Sequence, residues 1–272
     1  MIKAAVLGSP ISHSLSPLLH TVAYTELGLE SDYTRIEVKS GELGAFLLSC
    51  QGSWTGFSLT MPLKEEVLSL ATENSELAAR IRSANTLLHS DANWSASTTD
   101  VAGFTHALGF HNLDARGEVL IIGGGATARA AAAACDGVAS TITVMNRSES
   151  RFDAISQSVE SSNLVFTTWS DHAAFETADL IISTTPEGAS DSLIPYFPTK
   201  PTGVFLDVLY KPWPTKSLVA WSGAGGQTID GLDLLIHQGI DQVSLFSGHI
   251  FERAPMASIM REAALKMLKA ST

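Results

Sequence analysis

A glycine-rich turn near the middle of the chain constrains the fold more than any other segment. The apolar run at 118–122 predicts a buried strand, and it leads directly into GGGATARAAAAAC, whose alanines favour a helix. Gly123, Gly125 and Ala128 have the G-x-G-x-x-G/A spacing. The first glycine allows a tight turn, the second lets a phosphate approach the backbone, and the small third residue allows close helix packing. This context predicts a Rossmann-type dinucleotide-binding domain, with the phosphates over the helix N-terminus.

The rest of the chain alternates strand and helix patterns, which is typical of an α/β fold with largely parallel sheets. Ser16 is expected to cap a first helix that Gly28 ends. The other predicted helices cover 42–49, 232–246 and 257–269, and the predicted strands cover 4–7, 33–38, 56–60, 118–122, 141–146, 180–183 and 204–208. No linker separates domains, so the motifs alone place a boundary near 100–103 and a return near Gly231.

Composition excludes several classes of protein. The 272 residues, 45% hydrophobic and 17% charged, are enough for one large or two ordinary domains. The net charge of −11 argues against nucleic-acid binding. Cys50 and Cys135 lack CxxC spacing, so we expect neither a disulfide framework nor a metal site, and a reducing cytoplasm fits. The first residues are typical of a buried strand rather than a signal peptide, and no segment is long enough to span a membrane.

The segment GFSLTMPLK carries the first candidate catalytic residue. Pro62 suits the first position of a helix, and the following EEVLSLA favours that helix. Lys64 then lies in the first helical turn, where the helix dipole disfavours a cation. A lysine whose neutral form is favoured in this way suits proton transfer, although taken alone it also fits an ordinary surface position.

The residues after the second strand of the dinucleotide domain discriminate between nicotinamide cofactors. NAD-binding domains place a carboxylate about 20 residues beyond the glycines, where it binds the ribose hydroxyls. Here the strand ends at Asn146 and Arg147, with Arg151 one turn further, and Glu149 is the nearest acid. Two guanidinium groups can bind the 2′-phosphate of NADP, or simply begin a solvated helix. Given the glycines, the sequence favours NADP.

Eight motifs in this order resemble the shikimate dehydrogenase family nearly from end to end. They are GSPISHSLSP, GFSLTMPLK, SANT at 83–86, TTD at 98–100, GGGATARA, NRSESR, DVLYKPWPT at 207–215 and DGLDLLIHQ at 230–238. The resemblance implies an NADP-dependent oxidoreductase that interconverts 3-dehydroshikimate and shikimate in aromatic amino-acid biosynthesis. It also implies a substrate-binding and catalytic domain with a mixed sheet, residues 1–101 with 238–272, and a doubly wound NADP domain, residues 102–237.

The resemblance further implies the residues of each site. Lys64 and Asp100 are the catalytic pair, with the aspartate orienting the ammonium group. Ser14, Ser16 and Tyr210 lie near the substrate carboxylate, and Ser58, Thr60, Asn85 and Gln238 surround the ring with the catalytic pair. The cofactor contacts are Gly123, Gly124, Gly125, Ala126, Thr127, Asn146, Arg147, Arg151, Thr184, Val208 and Gly231. Taken one at a time, several of these residues also fit ordinary structural roles, since Asn85 suits a turn and Gln238 suits an amphipathic helix.

Three departures from the family pattern leave alternatives open. Ser58 and Thr98 stand where the family commonly has asparagine, which affects one ring contact and the loop that presents Asp100; Leu234 replaces methionine with little change of volume. An NAD-dependent quinate/shikimate dehydrogenase, a paralogue acting on an altered shikimate and a non-catalytic dinucleotide sensor remain alternatives. The expected partners are a small substrate and, at most, a second copy in a homodimer.

Overall fold

The computed structural model describes residues 1–50, 54–90 and 93–270. By its internal contacts the chain divides into two units: the first comprises Met1–Gly103 with Leu235–Thr272, and the second comprises Phe104–Leu234. The chain leaves the first unit inside helix α5 (Asp100–Phe110) and returns inside helix α10 (Gly231–Ser247). These passages lie a few residues from the divisions at 101/102 and 237/238 expected from the sequence.

Six described strands form a mixed sheet in the first unit, in the order β2-β1-β3-β5-β6-β4. The strands are β1 (Ile2–Gly8), β2 (Ser31–Glu37), β3 (Gly56–Leu59), β4 (Glu73–Asn74), β5 (Thr86–Ser90) and β6 (Asn93–Ser97). The helices, besides parts of α5 and α10, are α1 (Ser16–Glu26), α2 (Leu43–Ser49), α3 (Leu63–Glu66), α4 (Glu76–Arg80) and α11 (Arg253–Ala270). Strand β1 is parallel to β2 and β3, whereas β5 is antiparallel to both β3 and β6.

This strand arrangement brings the ends of several strands to one edge of the sheet. Parallel β1 and β3 both finish there, and antiparallel β5 begins there, because Ser58 pairs with Thr86. Strand β6 runs opposite to β5, so it also ends at this edge, with Ser97 opposite Thr86. Chain segments that are distant in sequence therefore present their side chains at one edge.

The core of the first unit is centred on Phe57 of β3, which is fully buried. Its ring centroid lies 5.4 Å from that of Phe46, 4.8 Å from that of Trp54 and 5.2 Å from that of Trp94. Offset and edge contacts at these separations add to the burial of apolar area. The strand that leads to Lys64 is thus anchored by its own side chains.

The second unit has the strand order of a doubly wound dinucleotide-binding domain. Its strands are β7 (Gly117–Ile122), β8 (Ala139–Asn146), β9 (Asn163–Thr168), β10 (Leu180–Ser183), β11 (Val204–Asp207) and β12 (Gln227–Ile229). Its own helices are α6 (Ala126–Cys135), α7 (Phe152–Ser156), α8 (Ala174–Thr177) and α9 (Lys216–Gly223). All described pairs are parallel, in the order β12-β11-β10-β7-β8-β9. The order reverses beside β7, and this switch point is where such folds bind ligands.

The predicted α/β class and the seven predicted strands are confirmed, but two details of helix starts were wrong. Ser16 does not cap α1: Leu15 is the capping residue and already has helical dihedral angles, and Ser14 Oγ accepts the amide hydrogen of Ser16 at 3.3 Å. Pro62 precedes α3 instead of opening it, and the α-helix ends at Glu66. A 3-10 turn follows, in which the Ser69 hydroxyl donates to the Glu66 carbonyl at 2.9 Å and competes with continued helix.

Truncation of Phe57 tests the packing of the first unit. We expect Phe57→Ala to lower the free energy of unfolding by about 3–5 kcal/mol, because it removes a fully buried ring from between three others. Leu48→Ala is the control, since Leu48 is 88% exposed and should change stability by about 0.5 kcal/mol or less. Urea denaturation followed by circular dichroism measures both, and equal losses would contradict this description of the core.

Candidate active site

A lysine–aspartate pair occupies the edge of the first sheet where the strands converge. Lys64 is the second residue of α3, and Asp100 is the first residue of α5. Lys64 Nζ donates to Asp100 Oδ2 at 2.7 Å, and the side chains are only 15% and 6% exposed. Because a lysine has three N–H donors, this bond orients the ammonium group and leaves hydrogens for another acceptor. The TTD loop, which includes the Thr98 departure, thus presents Asp100 to Lys64.

The buried amide of Asn85 holds the aspartate from its other side. Asn85 Oδ1 accepts from the Thr99 amide at 2.8 Å and from the Thr86 hydroxyl at 2.9 Å. Asn85 Nδ2 lies 2.9 Å from Asp100 Oδ1, 2.9 Å from Thr99 Oγ1 and 3.0 Å from Gln238 Oε1. Asp100 therefore uses one carboxylate oxygen for Lys64 and the other for Asn85.

The structure brings Lys64, Asn85, Asp100 and Gln238 into one hydrogen-bonded cluster. Thr60 follows β3 at the same edge, where its amide donates to the Leu7 carbonyl at 2.9 Å. Ser14 and Ser16 are buried beyond the end of β1, in the segment that begins α1. In the first unit, the polar residues expected around the substrate ring and carboxylate thus come from five separate segments, at 14–16, 58–64, 85, 100 and 238.

Ser58 has a different environment from the other residues predicted around the ring. Its side chain is buried, and its hydroxyl accepts from Tyr33 at 2.6 Å and donates to Gln242 Oε1 at 2.7 Å. The hydroxyl hydrogen and one of the two oxygen lone pairs are therefore taken by protein groups.

The glycine turn of the second unit has the backbone features that a dinucleotide site needs. Gly123 has φ +115°, and a Cβ there would meet the Thr184 hydroxyl at 2.5 Å. Gly125 precedes α6, and nothing lies within 4 Å of the position of its Cβ. Ala126 and Thr127 form the first turn of α6, whose amides have no intrahelical partners, and Ala128 is fully buried. Open space over a helix N-terminus fits an anionic phosphate.

The residues predicted to read the cofactor ribose lie beside this turn. A Cβ at Gly124 would come within 2.6 Å of Asn146 Nδ2 and 3.2 Å of Arg151 Cβ, so the end of β8 packs directly on the glycines. Arg147 is exposed, and its guanidinium carbon lies 5.5 Å from the centroid of the Trp169 ring. This distance is within the range of a cation–π contact, which holds the cation beside the turn.

The remaining predicted cofactor residues flank the loop that follows β11. A Cβ at Gly231 would meet the Val208 carbonyl oxygen at 2.2 Å, so these two backbones are in direct contact. Tyr210 lies in the same loop, which Asp207 ties back by accepting from the Leu209 amide at 3.2 Å and the Thr215 hydroxyl at 2.8 Å. Burial raises the pKa of the Asp207 carboxyl above its ordinary value.

Sequence reasoning did not single out several residues that hold these sites. Thr86 and Thr99 stand inside the quoted SANT and TTD motifs, yet only the strand register shows that they bond Asn85. Gln242 lies one helical turn after Gln238, and this i, i+4 spacing was an available signal. Trp169 carried no signal, because it follows a separate strand.

The described part of the chain contains no cluster of three or more His, Cys, Asp or Glu side chains placed to hold a metal ion. Within the same residues, no helix combines the length and hydropathy needed to cross a bilayer.

A doubly wound unit with a glycine turn, together with a unit that carries a lysine–aspartate pair, defines the class of dinucleotide-binding oxidoreductases. Comparison with known proteins gives the family. A model described as the shikimate dehydrogenase substrate binding domain matches residues 6–87, and one described as shikimate / quinate 5-dehydrogenase matches residues 109–194. The chain belongs to the shikimate dehydrogenase family.

Individual relatives match over nearly their whole lengths. Shikimate dehydrogenase (NADP(+)) of Prochlorococcus marinus (strain AS9601) is 33% identical over 89% of this chain and 91% of the relative. The crystal structure of Mycobacterium tuberculosis shikimate dehydrogenase is 34% identical, with a TM-score of 0.84 over 98% of this chain and 100% of that one. The Thermus thermophilus enzyme, solved in complex with NADP(H) and shikimate, is 30% identical, with a TM-score of 0.85 over 97% of this chain and 100% of that one.

Two glycine substitutions test the geometry of the turn. Gly123→Ala forces a side chain into a left-handed conformation against Thr184, so we expect it to lower the free energy of unfolding by about 1–3 kcal/mol. Gly125→Ala, which places a methyl group in open space, is the matched control and should cost about 0.5 kcal/mol or less. Urea denaturation curves compare the free energies of unfolding of the two variants. A loss of stability in Gly125→Ala as large as that in Gly123→Ala would contradict the described geometry of the turn.

Proposed function

We propose that this protein is an NADP-dependent shikimate dehydrogenase, which interconverts 3-dehydroshikimate and shikimate in the pathway to chorismate and the aromatic amino acids. The observation that carries the proposal is the Lys64–Asp100 pair, fixed at 2.7 Å and braced by Asn85. A module that only bound a dinucleotide would have no use for an oriented proton donor. Family membership over the whole chain supports the same assignment.

Lys64 is the proton-transfer residue of the reaction. Reduction of the ketone leaves an oxygen that must gain a proton, and the ammonium group donates it; in the reverse direction the neutral amine takes the hydroxyl proton. When bound, NADPH supplies the hydride and NADP⁺ accepts it. Asp100 keeps Lys64 pointing in one direction, so the donor is already placed before the substrate arrives.

The substrate is a small polyhydroxylated acid, and the first unit offers matching groups. Thr60 and Gln238 bond the ring hydroxyls beside the catalytic pair, and Ser14 and Ser16 bond the carboxylate from the start of α1. Asn85, assigned to the ring by resemblance, already has both atoms of its amide bonded to protein groups and acts by holding Asp100. Tyr210 is assigned to the substrate carboxylate by resemblance alone. Ser58 is assigned to the ring contacts by resemblance alone, and its buried position favours an indirect role.

The second unit holds the cofactor. The pyrophosphate binds the amides of Gly124, Gly125, Ala126 and Thr127, where the space above Gly125 is open. Arg147 and Arg151 pair with the 2′-phosphate, and Asn146 bonds the ribose beside the glycine turn. Thr184, Val208 and Gly231 border the nicotinamide end. Residues 104–234 accordingly form the cofactor domain. Residues 1–103 with 235–272 form the substrate domain.

A steady-state assay that crosses two substrates with two cofactors tests the function. Shikimate with NADP should give the highest kcat/KM, and quinate or NAD should each give a lower value. A preference for quinate with NAD would replace the proposal by a catabolic quinate/shikimate dehydrogenase. Absence of turnover with every pair would identify a dinucleotide-binding protein without this activity.

Removal of Lys64 tests its catalytic role. Lys64→Ala should lower kcat for shikimate oxidation by about 10²–10⁴-fold, because the transition state loses its proton acceptor. The dissociation constant for NADP, measured by calorimetry, should stay unchanged. Lys39→Ala, which removes an exposed lysine of the same unit, is the control. Near-normal turnover of the Lys64 variant would exclude the proposed mechanism.

Removal of both arginines tests the choice of cofactor. In Arg147→Ala/Arg151→Ala the KM for NADP should rise about 10–100-fold, since bonds from guanidinium to phosphate are charge-assisted. The KM for NAD, which lacks the 2′-phosphate, should change little. Arg116→Ala removes another exposed arginine, just before β7, and serves as the control. Equal losses for both cofactors would show that the arginines do not read the 2′-phosphate.

A further inference from the structure

Gln242 is a buried polar residue of α10 that the catalytic mechanism does not use. It lies one helical turn after Gln238 and is 1% exposed. Its side chain reaches across to β3 and β5, where Nε2 donates to the Asn85 carbonyl oxygen and to the Thr86 hydroxyl, both at 2.9 Å, and Oε1 accepts from Ser58 at 2.7 Å. One amide thus connects all three groups, of which the Asn85 carbonyl oxygen also accepts from the Leu59 amide at 2.7 Å.

The orientation of the Gln242 amide is determined by its partners. A backbone carbonyl can only accept, so the Asn85 oxygen must face Nε2 and not Oε1. The reversed amide would bring two acceptors together in a buried environment, where an unmet polar group is costly. The amide nitrogen of Gln242 thus always points at Thr86.

This orientation passes along a chain of hydrogen bonds to the catalytic aspartate. Because Thr86 accepts from Gln242, its own hydrogen is available to donate to Asn85 Oδ1 at 2.9 Å. The Thr99 amide, which can only donate, bonds the same Oδ1 at 2.8 Å. Two donors therefore fix Oδ1 on one side, and Asn85 Nδ2 is left facing Asp100 Oδ1.

The chain of hydrogen bonds begins at Tyr33. Tyr33 donates to Ser58 at 2.6 Å, and the stacked ring of His20 lies 3.9 Å from the Tyr33 ring. Burial raises the pKa of the Tyr33 hydroxyl far above its ordinary value, so the tyrosine keeps its proton and remains a donor. Ser58 can then give its own hydrogen to Gln242. Every donor in the sequence Tyr33, Ser58, Gln242, Thr86, Asn85 points towards Asp100.

We propose that Gln242 is a positioning residue, through which Ser58 also acts, and that it fixes the Asn85 amide so that Asp100 and Lys64 are aligned for proton transfer. The inference rests on the proposed function. It assigns Ser58 a place behind the site, where its hydroxyl is already bonded on both sides, instead of a contact with the substrate ring.

Gln242→Met tests the proposal, because methionine keeps the length of the side chain without its donors. We expect kcat for shikimate oxidation to fall about 10–100-fold, the range that an unfixed buried polar group implies. The affinity for shikimate, measured by calorimetry without cofactor, should weaken, whereas the affinity for NADP should not change. Ser244→Ala is the control, since Ser244 lies on the same helix and its hydroxyl donates to the carbonyl of the exposed His249.

Two further variants separate positioning from a loss of folding. Thr86→Val should have an effect similar to that of Gln242→Met, and the double variant should be no worse than the poorer single one, because both interrupt the same relay. Gln242→Glu should recover kcat relative to the unsubstituted enzyme as pH falls, since a protonated carboxyl regains one donor and an ionised carboxylate has none. The titratable groups beside position 242 are His20, whose pKa burial lowers to about 3, and Tyr33, whose pKa burial raises, so in the unsubstituted enzyme neither changes its charge near neutral pH.

The outcomes distinguish this inference from the proposed function. Three results would each overturn the role of Gln242 while the unsubstituted enzyme still oxidised shikimate. They are additive losses of kcat in the double variant, full kcat in Gln242→Met, and a ratio of the kcat of Gln242→Glu to that of the unsubstituted enzyme that does not vary with pH. If the unsubstituted enzyme itself failed to oxidise shikimate, the proposed function would fall first.

Discussion

The arrangement of the candidate active site in the first unit depends on one side-chain amide, that of Asn85. Asn85 faces two donors on its oxygen and the Asp100 carboxylate on its nitrogen, with Thr99 and Gln238 oxygens close by. An amide that is fully satisfied in a buried position has one orientation, because reversal would place donors against donors. Because Asn85 has one orientation, it holds the Asp100 carboxylate in one position, and Asp100 in turn holds Lys64. The strand register supplies the frame, since β3, β5 and β6 place the necessary segments at one sheet edge.

The second unit relies on backbone conformation rather than on a buried network. Gly123 occupies a left-handed conformation and touches Thr184, which leaves the following amides free at the start of α6. The charged groups lie outside, where Arg147 rests on Trp169 and Arg151 packs against Gly124. The two units thus offer different groups to a ligand: the first has side chains fixed by hydrogen bonds, and the second has backbone amides at a helix N-terminus and surface guanidinium groups, which suit anions.

The sequence was sufficient for the fold class, the strands and the glycine turn, because these follow from local periodicity and from residues with unusual backbone freedom. It failed at Ser16, where the helix begins one residue earlier than the capping rule implied. It also could not place Ser58, since the partner of its hydroxyl lies 184 residues away. Arg147 was predicted from its charge and its position after β8, whereas Trp169, whose ring lies beside it, follows another strand. Local signals predict elements, whereas the contacts that aim side chains depend on which elements become neighbours.

The contact between Ser58 and Gln242 explains why a serine can stand at position 58, where the family commonly has asparagine. The Ser58 hydroxyl donates to the oxygen of the Gln242 amide, and the nitrogen of the same amide donates to the Asn85 carbonyl and the Thr86 hydroxyl. A larger side chain at position 58 would need the volume that the Gln242 amide occupies, because both groups are nearly fully buried. The two positions are therefore coupled by space as well as by hydrogen bonding. A change at one of them is expected to be tolerated only when the other changes to refill the same volume and to bond the Thr86 hydroxyl.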